Sequence, residues 1–183
     1  MHAKNFSATA AQLLQPEQMA DMAMAHHATP TGFEPLDHVL DGGFLPEELV
    51  VVGGRPGVGK TISLIQWARH QAQQGQHVLL AHYEHSPLTV LVQLMLIEIG
   101  EFVTDVEVSS KARHDLADVV GGRRSWPDVV ASNETVAEAH DLATQHAERI
   151  HLMKRESLRN GINGLRDAIS AHGGIDVVMV DHL

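Results

Sequence analysis

The chain of 183 residues is long enough for one domain with a buried core, and 44% of its residues are hydrophobic. It contains no cysteine, which excludes disulfides and thiolate-ligated metal sites. The net charge of −10 argues against a broad basic face for nucleic acid, although several copies together can still build a local basic strip. We find no signal-peptide pattern and no apolar run of the roughly 20 residues that span a bilayer, so we expect a cytoplasmic protein without membrane contact.

The beginning of the chain predicts a helical arm, residues 1–30, ahead of a domain over residues 31–183. The stretch from Ala8 to His27 is rich in alanine, glutamine and methionine, and Pro16 must either break its helix or begin it. Its apolar side exceeds what its few polar residues can cover. Two interpretations stay open: the helix packs on its own domain, or it docks on a neighbouring subunit.

Predicted helices and strands alternate after the arm. In chain order, the sequence predicts a short helix over 33–40, a strand over 49–52, a helix over 60–74, a strand over 77–82, a helix over 87–99, a helical piece over 111–120, a loop over 121–127, a helix over 134–148, a strand over 149–153, a helix capped by Ser157, and a strand over 175–181. The helix over 60–74 is expected to bury Ile62, Ile65 and Ala68, and the helix after Ser157 has its apolar face at Leu158, Ile162, Leu165 and Ile169. This alternation predicts an α/β fold with a mostly parallel sheet flanked by helices.

Residues 54–61 match the complete phosphate-binding pattern G-x-x-x-x-G-K-[ST]. A predicted strand precedes the loop and a predicted helix follows it. Backbone N–H groups of such a loop surround a polyphosphate, and the helix N-terminus adds partial positive charge. Lys60 would reach the β- and γ-phosphates, and the Thr61 hydroxyl would ligate Mg²⁺. A chance glycine-rich turn is the alternative, but the strand–loop–helix context favours ATP. The predicted nucleotide-binding residues are Gly54, Arg55, Pro56, Gly57, Val58, Gly59, Lys60, Thr61 and Ile62.

Two carboxylates complete the predicted site. Asp181 ends an apolar strand, at the sheet edge where ligands of open α/β sheets bind, and is a candidate Mg²⁺ ligand together with Thr61. Glu84 follows the strand over 77–82 and is a candidate to orient and deprotonate the attacking water. A solvated loop glutamate is the alternative for Glu84. The predicted catalytic pair is therefore Glu84 and Lys60.

An ordered set of motifs resembles the ATPase domain of DnaB-type replicative helicases, in the RecA-like superfamily. Residues 31–37 resemble the family's TGxxxLD segment, and residues 42–49 resemble its GGxxPGEL segment. Residues 55–61 are similar to RPGMGKT, residues 83–86 to LEMS, and residues 178–183 to VIDYL. The resemblance covers roughly residues 29–183. It implies a RecA-like P-loop NTPase fold, assigns Glu84 as the general base, and implies a ring-forming homo-oligomer, a hexamer, with single-stranded DNA as a partner of the full-length protein.

The chain departs from the family pattern in several places. Glu47 stands where the family has glycine, and His182 stands where it has tyrosine. The family places a later strand between the P-loop strand and the strand that ends in the Walker B carboxylate. That strand, the γ-phosphate-sensing glutamine and the arginine finger would follow Leu183. We therefore expect a fragment, or a truncated and divergent relative.

Three functional hypotheses follow. The first is an ATP-driven DNA motor domain that couples hydrolysis to DNA unwinding in replication. The second is a RecA-like regulatory ATPase, similar to KaiC or RadA, without helicase activity. The third is a nucleotide-binding oligomerisation module that does not hydrolyse ATP.

Fourteen histidines are present, and three of them are expected near the site: His82, His85 and His182. A transition-metal site is conceivable for such a group, but polar residues at a wet rim are the favoured interpretation. Likewise, Trp126 with the preceding arginine pair is a candidate for nucleic-acid contact, and a solvated loop is favoured.

Overall fold

The structure, a computed structural model, describes residues 8–153, 157, 159 and 161–181. The chain divides into two compact units, with the boundary between Val52 and Gly53. None of the helices in the described ranges combines the length and the apolarity that a bilayer crossing requires.

The first unit contains helices α1 (Ala10–Leu13), α2 (Pro16–Ala25) and α3 (Glu34–Val39). The Thr9 side chain caps α1 in a capping box with Gln12. Pro16 occupies the first turn of α2, where its missing N–H leaves no hydrogen bond unmade, so the predicted arm helix forms as two helices that meet at this proline. Four apolar side chains of this stretch remain exposed: Leu14, Met19, Met22 and Met24.

A short antiparallel bridge joins Thr29 and Phe44 in the same unit. The Asp37 carboxylate accepts hydrogen bonds from the backbone N–H groups of Thr31 (2.6 Å) and Gly32 (3.3 Å). Gly43 lies so close to the bridge that a Cβ atom there would come within 2.1 Å of the Thr29 carbonyl oxygen. The conformation of this loop region therefore depends on Asp37 of the first motif and Gly43 of the second.

The predicted strand over residues 49–52 is wrong, because these residues form no regular secondary structure. Leu49 is 90% exposed and Val51 is 80% exposed. No strand of the described residues pairs with this segment, and an isolated strand leaves its backbone hydrogen-bonding groups without protein partners. Glu47, just upstream, has a positive φ of 63°, a conformation that glycine adopts more readily.

The second unit contains three parallel strands and six helices in its described part. In chain order these are α4 (Lys60–Gln73), β1 (Val78–His82), α5 (Pro87–Phe102), α6 (Val106–Val120), α7 (Trp126–Ser132), α8 (Glu134–Ala147), β2 (Ile150–Leu152), α9 (Gly161–His172) and β3 (Val177–Asp181). The sheet order is β2-β1-β3, and both pairings are parallel. The predicted parallel α/β architecture of this part is confirmed.

The helix boundaries follow local capping signals. Two of them differ from the sequence prediction, and α7, which begins at Trp126, lies where the sequence predicted no helix. Side chains of Ser86, Asp105, Ser125 and Asn133 cap α5, α6, α7 and α8 respectively. The helix predicted to end at Gly100 continues to Phe102, and the piece predicted over 111–120 begins at Val106. Leu158, expected on the apolar face of the last helix, lies outside the described residues.

The core lies on both faces of β1, all five of whose residues are buried. On one face, Leu79, Ala81 and Met153 form a cluster against Leu165 and Ala168 of α9. Because side chains alternate along a strand, Leu80 and His82 project from the opposite face, and α4 contacts both β1 and β3. Ile65 and Ala68 of α4 are buried as predicted, whereas Ile62 is 43% exposed.

Candidate active site

The loop over residues 54–61 joins Gly53 to α4 through two left-handed glycines. Gly57 has φ of 78° and Gly59 has φ of 99°, and nothing lies within 4 Å of a Cβ built at either position. Conformation, and not space, therefore requires glycine at these two positions. Gly59 is the N-cap of the 14-residue helix α4, whose first N–H groups have no partner within the helix.

Lys60 lies against its own loop. Its Nζ donates to the carbonyl oxygens of Gly54 (3.1 Å) and Arg55 (3.2 Å). These contacts hold the ammonium group on the loop that leads directly into the N-terminus of α4, so a positive charge and unpaired backbone donors belong to one short segment. That combination suits an anionic ligand.

The Thr61 hydroxyl donates to Oδ2 of Asp181 at 2.9 Å, although the two residues are 120 positions apart. Asp181 is the last residue of β3 and is 6% exposed. Thr61 lies in the first turn of α4, the helix that packs on β1 and β3. The parallel sheet thus brings a hydroxyl and a carboxylate together, and both are oxygen ligands of the kind that Mg²⁺ prefers.

Glu84 lies two residues past the end of β1, at the same edge of the sheet as Asp181. Parallel strands align their carboxyl ends, which explains why the two carboxylates share this edge. Glu84 also lines the same cavity as the phosphate-binding loop. The cavity has a volume of about 690 Å³, and its lining residues are Gly54, Pro56, Gly57, Gly59, Lys60, Thr61, Ile62, Glu84 and His85.

Two predicted nucleotide-binding residues have a different placement. Arg55 does not line the cavity but contributes its carbonyl oxygen to Lys60. Val58 is 61% exposed and lies outside the lining. The exposed side of Ile62, in contrast, is explained by its place in the cavity wall.

The histidines near this edge do not behave alike. His85 lines the cavity, whereas His82 is 2% exposed, so the rim interpretation is wrong for His82. The signal available in the sequence was its position at the end of the predicted strand over 77–82, after the apolar residues Val78 to Ala81. His182 lies outside the described residues, and within the described part of the chain no three acidic, histidine or cysteine side chains are grouped to hold a metal ion.

The arginines after α6 are engaged within the second unit. Arg123 pairs with Asp118 at 2.6 Å, and Arg124 pairs with Asp115 and donates to Ser132 at 2.8 Å. Trp126 begins α7 and packs against the ring of His140. These contacts favour a structural role for the residues over contact with nucleic acid.

A buried ion pair joins the two helices that begin at the site. Arg69 of α4 donates from Nε and Nη2 to the two carboxylate oxygens of Glu98 on α5, each at 2.7 Å. His146 of α8 lies 3.2 Å from the same carboxylate. Burial raises the pKa of Glu98, but the contacts of His146 and Arg69 outweigh burial and lower the pKa to about 2. The carboxylate is therefore charged at neutral pH and fastens α4 to α5.

A family model described as the DnaB-like helicase C terminal domain matches residues 28–183 of the chain. Several curated relatives with significant similarity are DNA repair proteins named RadA. RadA of Mycobacterium tuberculosis (strain CDC 1551 / Oshkosh) is 32% identical over 83 residues, which are 45% of this chain and 17% of that relative. RadA of Streptococcus pyogenes serotype M6 (strain MGAS10394) is 33% identical over 100 residues, which are 54% of this chain and 22% of that relative.

RadA of Campylobacter jejuni (strain NCTC 11168) is 40% identical over 63 residues, which are 34% of this chain and 14% of that relative. The chain therefore spans less than a quarter of each of these three relatives. The family match covers the phosphate-binding loop and the motifs on both sides of it.

Proposed function

The chain belongs to the DnaB-like helicase C-terminal domain family, and on that premise we propose that it binds ATP with Mg²⁺ at residues 54–62 and hydrolyses it. The family and the relatives support a RecA-like ATPase. The observation that carries the proposal is the Thr61–Asp181 hydrogen bond, in a site whose loop shares a cavity with Glu84. Three segments far apart in sequence thus meet at one edge of the sheet, as hydrolysis of a nucleotide requires.

Each side chain has a distinct role in the proposed reaction. The N–H groups at the start of α4 and the Lys60 ammonium group stabilise the charge of the phosphates. Thr61 and Asp181 hold Mg²⁺, which, when bound, neutralises phosphate charge. Glu84 accepts a proton from the attacking water, which then bonds to the γ-phosphorus as the bond to ADP breaks.

Substitution of Glu84 by glutamine separates binding from hydrolysis. We expect Glu84→Gln to bind ATP with unchanged affinity and to lose turnover by about 10²-fold or more, because only the proton acceptor is removed. Calorimetry with ATP and Mg²⁺ and a phosphate-release assay measure the two effects. Lys60→Ala is the matched binding variant and should weaken ATP binding. ATP affinity that Lys60→Ala leaves unchanged would contradict the proposed site, and unchanged turnover in Glu84→Gln would exclude Glu84 as the base.

We propose further that the full-length protein is a ring-forming DNA motor that couples hydrolysis to unwinding in replication. The family match supports this, and it suggests a hexameric homo-oligomer, single-stranded DNA as a partner and a cytoplasmic location. In this proposal residues 1–30 are an arm ahead of an ATPase domain over 31–183, and the arm docks on the neighbouring subunit. Unwinding of a forked duplex by the full-length protein, with hydrolysis stimulated by single-stranded DNA, is the expected result.

The similarity to RadA proteins favours a second candidate, a RecA-like ATPase that does not act as a replicative helicase. The same assays discriminate between the two. Hydrolysis without unwinding of the fork favours the second candidate. ATP binding without any hydrolysis by the full-length protein would favour the third hypothesis, a nucleotide-binding oligomerisation module.

A further inference from the structure

His82 is the buried polar residue closest along the chain to Glu84, and the proposed reaction does not use it. It ends β1, is 2% exposed, and pairs in the sheet register with Asp181 of β3. The two side chains therefore project from the same face of the sheet. A histidine at this position has to be explained, because burial of an imidazole is unfavourable unless its ring nitrogens are used.

One ring nitrogen of His82 forms a hydrogen bond with the main chain. Nδ1 of His82 lies 2.8 Å from the carbonyl oxygen of His85. A carbonyl oxygen only accepts, so Nδ1 must carry the proton and donate it. This hydrogen bond closes a short loop in which Glu84 lies between the donor residue and the acceptor residue.

The other ring nitrogen has no hydrogen-bond partner among the described residues. Nε2 of His82 is buried, and no donor or acceptor of the described chain reaches it. A buried polar atom left without a partner lowers stability, so His82 is not explained as a stabilising core residue. What the histidine contributes is the Nδ1–H donor at the end of the strand.

We propose that His82 is a positioning residue that holds the Glu84 loop in the orientation needed for water activation. The proposal rests on the proposed ATPase function. The hydrogen bond fixes the main chain at His85, the next residue after Glu84, while Ser86 begins α5 as its N-cap. On the other side, the Tyr83 backbone N–H donates to the Asp181 carbonyl oxygen at 3.4 Å. Glu84 is thus held between two anchored main-chain positions, and displacement of a catalytic group by about 1 Å can cost 10²-fold in rate.

Amide side chains test the donor directly. The Nδ2 group of asparagine occupies nearly the place of the histidine Nδ1, whereas the Nε2 group of glutamine occupies nearly the place of the histidine Nε2. His82→Asn therefore keeps the donor to His85, and His82→Gln and His82→Phe remove it. His114→Phe is the control for an unrelated histidine, because the His114 side chain is 78% exposed on α6.

The first readout is steady-state hydrolysis of ATP by the 183-residue chain. We expect kcat to fall at least about 10-fold in His82→Phe and His82→Gln with little change in KM, and to stay within about 3-fold of the unmodified chain in His82→Asn. His114→Phe should be unchanged. Equal losses in all three His82 variants, or no loss in His82→Phe and His82→Gln, would overturn the proposal.

The second readout does not depend on hydrolysis. Hydrogen exchange of the backbone amides of residues 83–86 should accelerate at least about 10-fold in His82→Phe and His82→Gln, and not in His82→Asn. The proposed function fails if the unmodified chain shows no turnover, or if Lys60→Ala leaves the ATP affinity unchanged. In that case the exchange pattern alone decides whether His82 holds the loop. Unaltered exchange in His82→Phe and His82→Gln would show that the histidine does not hold the loop. If His82→Phe does not fold, His82→Gln provides the same comparison in both readouts.

Discussion

Residues 49–52 and strand β3 are similarly apolar in sequence, but only β3 forms a strand in the structure. Each contains four consecutive apolar residues, Leu49 to Val52 in the first and Val177 to Val180 in the second. β3 pairs along its whole length with β1, and Met179 is 6% exposed. Residues 49–52 form no ladder, and their side chains are 45–90% exposed. Backbone pairing with a neighbouring strand, and not apolar character alone, therefore distinguishes β3 from residues 49–52.

The largest expected effect comes from breaking the buried Arg69–Glu98 pair by removing one partner. α4 packs on β3, and the Arg69–Glu98 pair fastens α4 to α5. We expect Arg69→Met to lower the free energy of unfolding by about 3–5 kcal/mol, because Glu98 then stays buried without its main partner. Urea unfolding followed by circular dichroism measures the change. The double variant Arg69→Met with Glu98→Leu should recover most of the loss, and a double variant as unstable as the single one would contradict this explanation.

Acid should weaken the same pair reversibly. The pKa of Glu98 is lowered from 4.5 to about 2 in the folded chain, so the folded state binds this proton less readily than the unfolded state. The stabilisation is therefore present above about pH 4.5 and is lost as the pH falls towards 2. The full loss is on the order of 3 kcal/mol. The difference in unfolding free energy between the unmodified chain and Glu98→Gln should shrink between pH 5 and pH 3, and a constant difference would refute this assignment.

The smallest effects compare the two apolar segments directly. Met179→Ala leaves a cavity in a covered strand, and we expect a loss of about 2–3 kcal/mol in the free energy of unfolding. Val51→Ala changes a side chain that is 80% exposed, and we expect a change within about 0.5 kcal/mol. Urea unfolding of both variants under one set of conditions gives the contrast. A loss in Val51→Ala as large as that in Met179→Ala would show that residues 49–52 are covered in solution.

Much of the fold could be predicted because its signals are local. Ser86 followed by Pro87, and Gly59 followed by Lys60, begin helices where the sequence predicts them. The apolar runs of β1 and β3 predicted two strands buried in a parallel sheet. The helices between Val106 and Ser132 were harder to predict, because their caps, Asp105 and Ser125, lie in a stretch without a clear apolar period.

The members of the candidate site were proposed from the sequence alone, whereas their contacts could not be predicted. The sequence pattern nominated Lys60, Thr61, Glu84 and Asp181, and the structure brings Thr61 to Asp181 and places Glu84 in the wall of the loop's cavity. The hydrogen bond from His82 to the His85 carbonyl oxygen could not be predicted, because it depends on the direction of the His82 side chain and on the turn after β1. The burial of the Arg69–Glu98 pair could likewise not be predicted from the sequence, because both residues resemble ordinary surface charges on their helices.

The sequence by itself determined the phosphate-binding loop, the alternation of helices and strands, and the carboxylates at or just past the ends of two strands. These features depend on glycine conformation, capping and apolar period, which act over a few residues. Only the tertiary structure decided which apolar run entered the sheet, which hydroxyl met Asp181, and which histidine was buried beside it. Those outcomes depend on backbone pairing and packing between residues as much as 120 positions apart, which no local pattern contains.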